Sequence, residues 1–260
     1  MILQDIINII ESVAPLSYQE SWDNSGLQVG NRNAEIKAAL LTVDVTESVV
    51  DEAILLGCDL IISHHPLLFR GLKQVTGSTP QERCVEKAIR HNIAIYSAHT
   101  SIDSYLHGVS GRIAEKLGIT SYRILAPSIS QGESGLGVIG SLCEDMDCET
   151  FVKHVAEVFA IKDGALRWVK GGKPMIRTVA ICGGAGAEFV ETAIAQGADA
   201  FVSADFKYHE LQNAYQRITV VDMDHWVSEH FTRDIFAELL SPYVQTHIAV
   251  SDFSPVQYGV

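Results

Sequence analysis

Short apolar stretches alternate along the chain with longer segments whose apolar side chains recur every three to four residues. The short stretches predict buried strands, and the periodic segments predict amphipathic helices. This alternation is typical of an α/β fold, in which helices cover a mostly parallel sheet. In the first half, strands are predicted at 27–29, 38–45, 60–62 and 93–96, and helices at 2–13, 46–56, 80–91 and 110–117.

The alternation restarts after residues 126–135 (APSISQGESG), where proline, serine and glycine are concentrated. These residues favour turns, so we place a domain boundary there. The prediction is a first α/β repeat at 1–125, joined by the C-terminal segment 226–260, and a second repeat at 126–225. In the second half, strands are predicted at 136–142, 165–169, 178–182, 200–203, 218–222 and 245–250, and helices at 148–159, 188–196, 208–216 and 227–240.

The two halves share a sequence pattern. Residues 50–63 (VDEAILLGCDLIIS) align without gaps to residues 190–203 (VETAIAQGADAFVS), at an offset of 140. A helix, a glycine and a strand can look alike by convergence, because both copies obey the same capping rules. The long fixed offset favours duplication instead, and predicts two similar α/β domains.

A second match joins the next strands. Residues 93–99 align to 219–225 at an offset of 126, and each copy ends in a histidine with a carboxylate four residues later. The pairs are His99 with Asp103 and His225 with Glu229. Residues four apart share one face of a helix, so His225 and Glu229 can reach one point.

Two adjacent histidines, His64 and His65, follow the predicted strand at 60–62. Pro66 ends that strand, and ligand sites of open α/β sheets lie beyond the carboxyl ends of strands. Neighbouring side chains of an extended chain point to opposite faces. The two imidazoles therefore need either a local break in the backbone or two metal ions to receive them.

The candidates at strand ends are His64, His65, His99, Asp103, His225 and Glu229. Imidazole and carboxylate groups without thiolate are ligands for zinc, manganese, iron, cobalt or nickel. A carboxylate can bridge two ions, and such a pair activates water and stabilises an oxyanion. The alternative is a set of unrelated polar residues, with the acidic ones placed at helix N-termini. The repeated carboxylate spacing favours metal binding.

Three weaker features keep two interpretations each. The glycine-rich run 183–186 could hold a phosphate or form a tight connection. Asp44 could support a metal ligand or cap the next helix. Lys207 and His209 could contact substrate or simply begin an exposed helix.

The net charge of −13 over 260 residues argues against broad binding to nucleic acid, which depends on basic surface. No apolar stretch approaches the roughly 20 residues that span a bilayer, so we expect no membrane partner. The N-terminal segment lacks the basic start of a signal peptide. The five cysteines contain no Cys-x-x-Cys pair, and we expect mostly buried, reduced thiols in a cytoplasmic protein.

Four motifs occur in a specific order: residues 22–30 (WDNSGLQVG), 63–69 (SHHPLLF), 99–103 (HTSID) and 225–229 (HWVSE). Over essentially the whole chain, they resemble the Nif-three-like (YbgI-like) family, whose bacterial members are often called GTP cyclohydrolase I type 2 homologues. The resemblance implies two similar α/β domains with a metal site in the cleft between them. It also implies a toroidal homohexamer.

The resemblance further implies two divalent metal ions per chain. Their ligands would be His64, His65, Asp103, His225 and Glu229, with Glu229 bridging. His99 would face the substrate or support a ligand. Relatives often have glycine where this chain has Asp224, so an additional carboxylate bears on metal preference and substrate charge.

We therefore expect a metal-dependent hydrolase of a small, nucleotide-like substrate. The residues do not choose between a GTP cyclohydrolase-type ring opening and phosphoester hydrolysis. A metal-binding or regulatory ring without catalytic activity also stays open.

Overall fold

In a computed structural model, which describes residues 1–128, 134–162 and 165–258, helices and strands alternate as the sequence pattern predicts. The helices are α1 Leu3–Val13, α2 Glu47–Leu56, α3 Pro80–Arg90, α4 Thr100–Asp103, α5 Val109–Lys116, α6 Cys148–Val158, α7 Val190–Ala195, α8 Tyr208–Ala214, α9 His225–Glu229 and α10 Thr232–Leu240. The strands are β1 Gly26–Val29, β2 Ala38–Thr42, β3 Leu60–Ser63, β4 Ala94–Ser97, β5 Tyr122–Pro127, β6 Gly135–Asp147, β7 Arg167–Val169, β8 Met175–Ala185, β9 Ala200–Ala204, β10 Thr219–Asp222 and β11 Gln245–Ile248. Single turns of 3₁₀ helix lie at Leu16–Tyr18 and Ala187–Phe189.

The chain groups into two compact units. The first contains Met1–Ile102 and His230–Phe253, and the second contains Asp103–Glu229 with the chain from Ser254 onwards. The predicted repeats, 1–125 and 126–225, are drawn from sequence similarity and turn composition rather than from contacts, and that division stays a prediction. Of the predicted boundary at 126–135, residues 129–133 lie outside the described residues.

The sheet of the first unit has the strand order β1-β4-β3-β2-β11. Its strands pair in parallel except for β1 with β4, as the prediction of a mostly parallel sheet requires. Every residue of β2, β3 and β4 is buried, because helices cover a parallel sheet on both faces. α2 and α3 supply apolar side chains to one core cluster, and α10 packs against β2 and β11.

The sheet of the second unit has the order β5-β6-β8-β9-β10-β7. Among the described residues of this unit, only β8 with β9 and β9 with β10 pair in parallel, so the prediction of a mostly parallel sheet needs correction here. The additional antiparallel neighbours arise partly from β5, a strand that the sequence pattern did not reveal. β5 ends at Pro127 and β6 begins at Gly135, so too few residues separate them for the crossover that parallel pairing requires, and the two strands pair antiparallel.

The repeated sequence has a repeated structural role. In the first unit, Asp59 Oδ2 accepts a hydrogen bond from Lys37 N (2.8 Å), just before β2. In the second, Asp199 Oδ2 accepts from Arg177 N (2.9 Å) and Thr178 N (2.8 Å) in β8. Lys37 and Arg177 also differ by 140 positions (177 − 37), so the aspartate ties equivalent strands together in both copies.

The second sequence match shifts by one residue in the structure. Leu60 pairs with Ala94, and its equivalent Ala200 pairs with Thr219, which gives an offset of 125 (219 − 94) within these strands. The offset of 126 is therefore wrong for the strands. It holds for the histidines because one extra residue, Asp224, precedes His225.

The predicted helix at 227–240 is also corrected, because the structure has two helices there. α9 begins at His225, where Asp224 Oδ1 accepts a hydrogen bond from Val227 N (3.0 Å), and α10 follows in the first unit. Buried residues continue across the junction, so the apolar periodicity conceals the interruption. Within the three described ranges, no helix is long and apolar enough to cross a membrane.

Candidate metal-binding site

Three imidazoles of the first unit converge beyond the ends of β3 and β4. His64 and His65 directly follow β3, and His99 lies two residues beyond β4. The ring centroids of His64 and His65 are 5.0 Å apart, and that of His99 lies 5.3 Å and 5.4 Å from them. One ligand atom from each side chain can lie within 4.8 Å of the others, so the three form a candidate metal-binding group.

A break in the backbone brings the two adjacent histidines together. His64 N donates to Thr42 O (3.1 Å) and His65 N donates to Val43 O (2.9 Å). In a regular central strand, only alternate residues bond to a given neighbour, because successive residues face opposite ways. The consecutive bonds mark the local break that the sequence predicts.

Each of these imidazoles donates a hydrogen bond from Nδ1 to an oxygen. The bonds are His64 Nδ1 to Ala98 O (3.1 Å), His65 Nδ1 to Asp44 Oδ1 (2.9 Å) and His99 Nδ1 to Asp23 Oδ1 (2.8 Å). Carbonyl and carboxylate oxygens only accept, so the proton of each neutral ring lies on Nδ1 and the lone pair on Nε2. Metal-binding histidines typically have this arrangement.

Asp23 fixes the orientation of His99 from a fully buried position. Besides His99 Nδ1, its carboxylate accepts from Thr100 N (3.1 Å), Thr100 Oγ1 (2.6 Å) and Ser25 Oγ (2.8 Å). Burial raises the pKa of Asp23, but the bonds from His99, Thr100 and Ser25 outweigh it and hold the pKa well below its ordinary range. Sequence reasoning assigned no role to Asp23, although it lies in the Trp-Asp-Asn motif.

In the second unit, α9 places His225 and Glu229 on one face, as their spacing predicts. His225 Nε2 lies 3.0 Å from Glu229 Oε2, and Nδ1 donates to Asp205 Oδ2 (2.8 Å). Burial lowers the pKa of His225, but the hydrogen bonds and charges of Glu229 and Asp205 outweigh it and raise the pKa to about 9. Without its Nε2 proton, His225 would offer a lone pair beside a carboxylate, which is a donor set suited to a divalent cation.

Asp205 is a second residue of the candidate site that sequence reasoning missed. Its φ is +60°, in the left-handed region that residues other than glycine rarely adopt. Asp205 occupies the position equivalent to His65 at the offset of 140, but it supports His225 instead. The alignment of residues 50–63 to 190–203 ends two residues before this position, so it did not reveal the contact.

Gly184, at the end of β8, makes room for Glu229. Its φ is +64°, and a Cβ added there would overlap Glu229 Oε1 and lie 3.2 Å from Cδ. Gly184 N donates to Ser228 Oγ (2.9 Å), and Gly183 N donates to Ser110 Oγ (3.1 Å). Because protein hydroxyls use these amides, the structure favours a tight connection over a phosphate cradle.

Asp103 ends α4 and is half-buried. Asp103 and Glu229 both affect the pKa of the buried Cys182. Burial first, and then the negative charges of Asp103 and Glu229, raise the pKa of Cys182 far above its ordinary value. The sulfur is therefore a thiol at neutral pH, and the structure brings both predicted carboxylates into the surroundings of one side chain.

The remaining candidates form hydrogen bonds within the protein. Asp44 accepts a hydrogen bond from His65 Nδ1, which is the contact that support of a metal ligand would require, and that role stays a prediction. Lys207 and His209 lie exposed at the start of α8, and both form hydrogen bonds within that segment. Asp224 caps α9 and accepts a hydrogen bond from Tyr258 Oη (2.6 Å).

The predicted site residues thus form one set in each unit: His64, His65 and His99 in the first, and Asp103, His225 and Glu229 in the second. Their geometry supports candidate metal-binding groups of histidine and glutamate. The assignment of each residue as a ligand, and of His99 as catalytic, stays a prediction.

Comparison with known proteins agrees with the motifs. The sequence model of the family Duf34/NIF3 (NGG1p interacting factor 3) matches residues 1–256. A Clostridium acetobutylicum protein called GTP cyclohydrolase 1 type 2 homolog is 35% identical over 229 residues, covering 87% of this chain and 85% of that protein. A Campylobacter jejuni protein of the same name is 33% identical over 260 residues, covering 99% and 100%.

The fold agrees as well. The crystal structure of a Bacillus cereus protein related to NIF3 superimposes with a TM-score of 0.89 at 26% identity. The match covers 100% of this chain and 99% of the other. On the family match and these relatives, this chain belongs to the Duf34/NIF3 family.

Proposed function

We propose that the protein is a metal-dependent hydrolase of a small, nucleotide-like substrate, with two divalent ions per chain. The observation that carries the proposal is the common orientation of four histidines. In His64, His65, His99 and His225, Nδ1 is hydrogen-bonded to an oxygen, so Nε2 is the nitrogen suited to a metal or to a substrate proton. His107 and His209 also bond to an oxygen through Nδ1, but among the described residues only the other four belong to a candidate metal-binding group as well.

The proposed ligands are His64, His65, Asp103, His225 and Glu229. Divalent ions at these residues would activate water and stabilise negative charge on the substrate. His99 is the proposed proton acceptor, because Asp23 holds its Nδ1 proton and stabilises the ring when Nε2 gains a second proton.

The substrate class rests on the relatives, whose names describe homologs of GTP cyclohydrolase rather than proven enzymes. We therefore propose GTP or a related nucleotide as the first substrate to test, with phosphoesters as the alternative. The two differ in products, because ring opening of the purine changes its ultraviolet absorbance whereas phosphoester hydrolysis releases phosphate.

Metal content tests the proposal directly. Elemental analysis of the wild-type protein should give about two ions per chain, as a two-metal site requires. His65→Ala and Glu229→Ala should lose metal, whereas His209→Ala, an exposed histidine outside both sets, should keep it.

Wild-type protein that stays metal-free after incubation with zinc or manganese would refute both the two-metal site and the hydrolase proposal. Stoichiometric metal with no turnover of GTP, other nucleotides or phosphoesters would instead support a metal-binding or regulatory role.

We also propose that the protein forms a homohexamer in the cytoplasm. β11 is an edge strand of the first sheet, and Val250 and Phe253 beyond it are 87% and 66% exposed. Exposed strand edges and apolar side chains favour burial against another chain. All five cysteines are free thiols, as is typical of a reducing compartment. Light scattering coupled to size exclusion would give the mass of the assembly, and a monomer would refute the hexamer.

A further inference from the structure

Two large aromatic side chains of the first unit stand exposed beside the imidazole group. Trp22 is 57% exposed and Phe69 is 46% exposed. Their ring centroids lie 6.1 Å apart with an interplanar angle of 62°, so the rings form an open corner. The centroid of His99 lies 6.1 Å from Trp22 and 6.4 Å from Phe69. The corner therefore borders the histidine that we propose as proton acceptor.

The backbone that carries this corner is held by hydrogen bonds. Asn24 Nδ2 donates to Leu68 O (2.6 Å), and Leu68 N donates to Gln28 Oε1 (3.1 Å). The backbone N–H and C=O of Leu68, the residue before Phe69, are thus both hydrogen-bonded to side chains of the segment that follows Trp22. On the other side, Trp22 adjoins Asp23, whose carboxylate is fully buried and accepts hydrogen bonds from four residues. The backbone segments that carry the two rings are therefore held in place by these hydrogen bonds.

Exposed apolar side chains held on an ordered backbone indicate a binding surface, because folding alone would favour burying these side chains in the core. The ring faces of tryptophan and phenylalanine bind planar rings by stacking. Every nucleobase has a planar face that can stack on such a side chain. A corner of two rings suits a planar ligand that stacks on one face and meets the edge of the other. An aliphatic ligand would gain area but no stacking.

The next residue adds a charge of the appropriate sign for a nucleotide. Arg70 is exposed, and it forms no ion pair with any residue that the structure describes. A guanidinium binds phosphate by paired hydrogen bonds. In a chain of net charge −13, an unpaired cation directly after Phe69 in the sequence favours a ligand with a planar ring and an anionic tail.

We propose that Trp22 and Phe69 bind the planar heteroaromatic ring of a purine nucleotide, next to His99. These two residues would give the proposed hydrolase a binding site for the base of its substrate. The site rests on the proposed function only where the bound nucleotide is regarded as a substrate. Ring binding itself requires no turnover.

Binding measurements with three probes test the inference: GTP, guanosine and ribose 5-phosphate. Affinities are measured by equilibrium dialysis on the wild type, Trp22→Ala, Phe69→Ala and Trp22→Tyr. Trp168→Ala is the matched control, because Trp168 is 38% exposed on β7 of the second unit. Circular dichroism confirms folding, and metal content is measured on the same samples.

We expect GTP and guanosine to bind roughly 5- to 150-fold more weakly to Trp22→Ala and Phe69→Ala, the range that loss of base stacking gives. Trp22→Tyr should recover most of the affinity because it restores a ring, and Trp168→Ala should match the wild type. Ribose 5-phosphate, which has no base, should bind equally to the wild type and to every variant.

Two results would overturn the inference: wild-type protein that binds neither GTP nor guanosine, or alanine variants that bind both as tightly as the wild type. Metal content separates this failure from failure of the proposed function. Metal-loaded protein whose nucleotide binding ignores Trp22 and Phe69 refutes only the ring site. Metal-free protein that binds guanosine through Trp22 refutes only the hydrolase.

Discussion

Replacing Gly184 with alanine should displace Glu229 and weaken both the fold and metal binding. Gly184 has a φ of +64°, and an added Cβ would overlap Glu229 Oε1 while lying 3.5 Å from His225 Cε1. Glu229 cannot relax into water, because its side chain is only 4% exposed. The substitution therefore changes both the backbone conformation and the position of a proposed metal ligand.

The two costs can be sized separately. A residue with a Cβ in the left-handed region costs about 1–2 kcal/mol. Displacing Glu229 also breaks its 3.0 Å contact with the His225 ring. A hydrogen bond between charged groups contributes about 1.5–3 kcal/mol. Gly184→Ala should thus lower the free energy of unfolding by roughly 2.5–5 kcal/mol in total.

Gly197→Ala is a control that isolates the backbone cost. Gly197 has a φ of +82°, but an added Cβ would meet nothing within 4 Å. Its variant should lose only about 1–2 kcal/mol. Urea unfolding, followed by circular dichroism, gives both free energies, and elemental analysis gives metal content. Gly184→Ala should lose metal and Gly197→Ala should keep it.

Equal stability losses in the two variants would show that Glu229 accommodates the methyl group, and would refute the argument from overlap. The double variant Gly184→Ala/Glu229→Asp provides a further check. A shorter carboxylate should relieve the overlap, so the two substitutions should be less damaging together than the sum of their separate effects. Strict additivity would also contradict the reasoning.

Two further predictions concern carboxylates of the second unit. Asp205→Asn removes the charge that supports His225 and should weaken metal binding about 10- to 100-fold in competition titrations, whereas Asp145→Asn, at an exposed ion pair with Arg177, should have no effect. Asp199 has a lowered pKa, because its bonds to Lys173 and to two backbone amides outweigh burial, which raises it. Its stabilising contribution is therefore present above the ordinary value of 3.8 and is lost as the pH falls through the lower folded-state value. The stability difference between the wild type and Asp199→Asn, about 1–3 kcal/mol at neutral pH, should shrink below about pH 4; a constant difference in urea unfolding across that range would contradict the assignment.

Local signals in the sequence predicted much of the fold. Thr46 caps α2 by accepting from Val49 N (3.2 Å), and Gly57, with a φ of +68°, ends it. Both are short-range effects that composition and spacing reveal. The same holds for His225 and Glu229, whose proximity follows from helical geometry alone.

Long-range contacts could not be predicted in this way. Asp23 bonds to His99 across 76 residues, and Asp205 bonds to His225 across 20. The position of a carboxylate in the sequence does not predict which imidazole it will bond to, because that contact depends on tertiary packing. The division of the last predicted helix was concealed for a similar reason, since buried residues continue through Phe231.

The two equivalent strand ends carry different residues, with Ser63, His64 and His65 in one copy and Ser203, Ala204 and Asp205 in the other. In an assembly of two identical chains, every mutation would occur in both copies at once. A duplication within one chain removes that restriction, so the second copy can hold a supporting carboxylate where the first holds a histidine. Each half can therefore evolve, or be redesigned, on its own. Ala204→His, for instance, would place an imidazole in the second copy while leaving His64 unchanged.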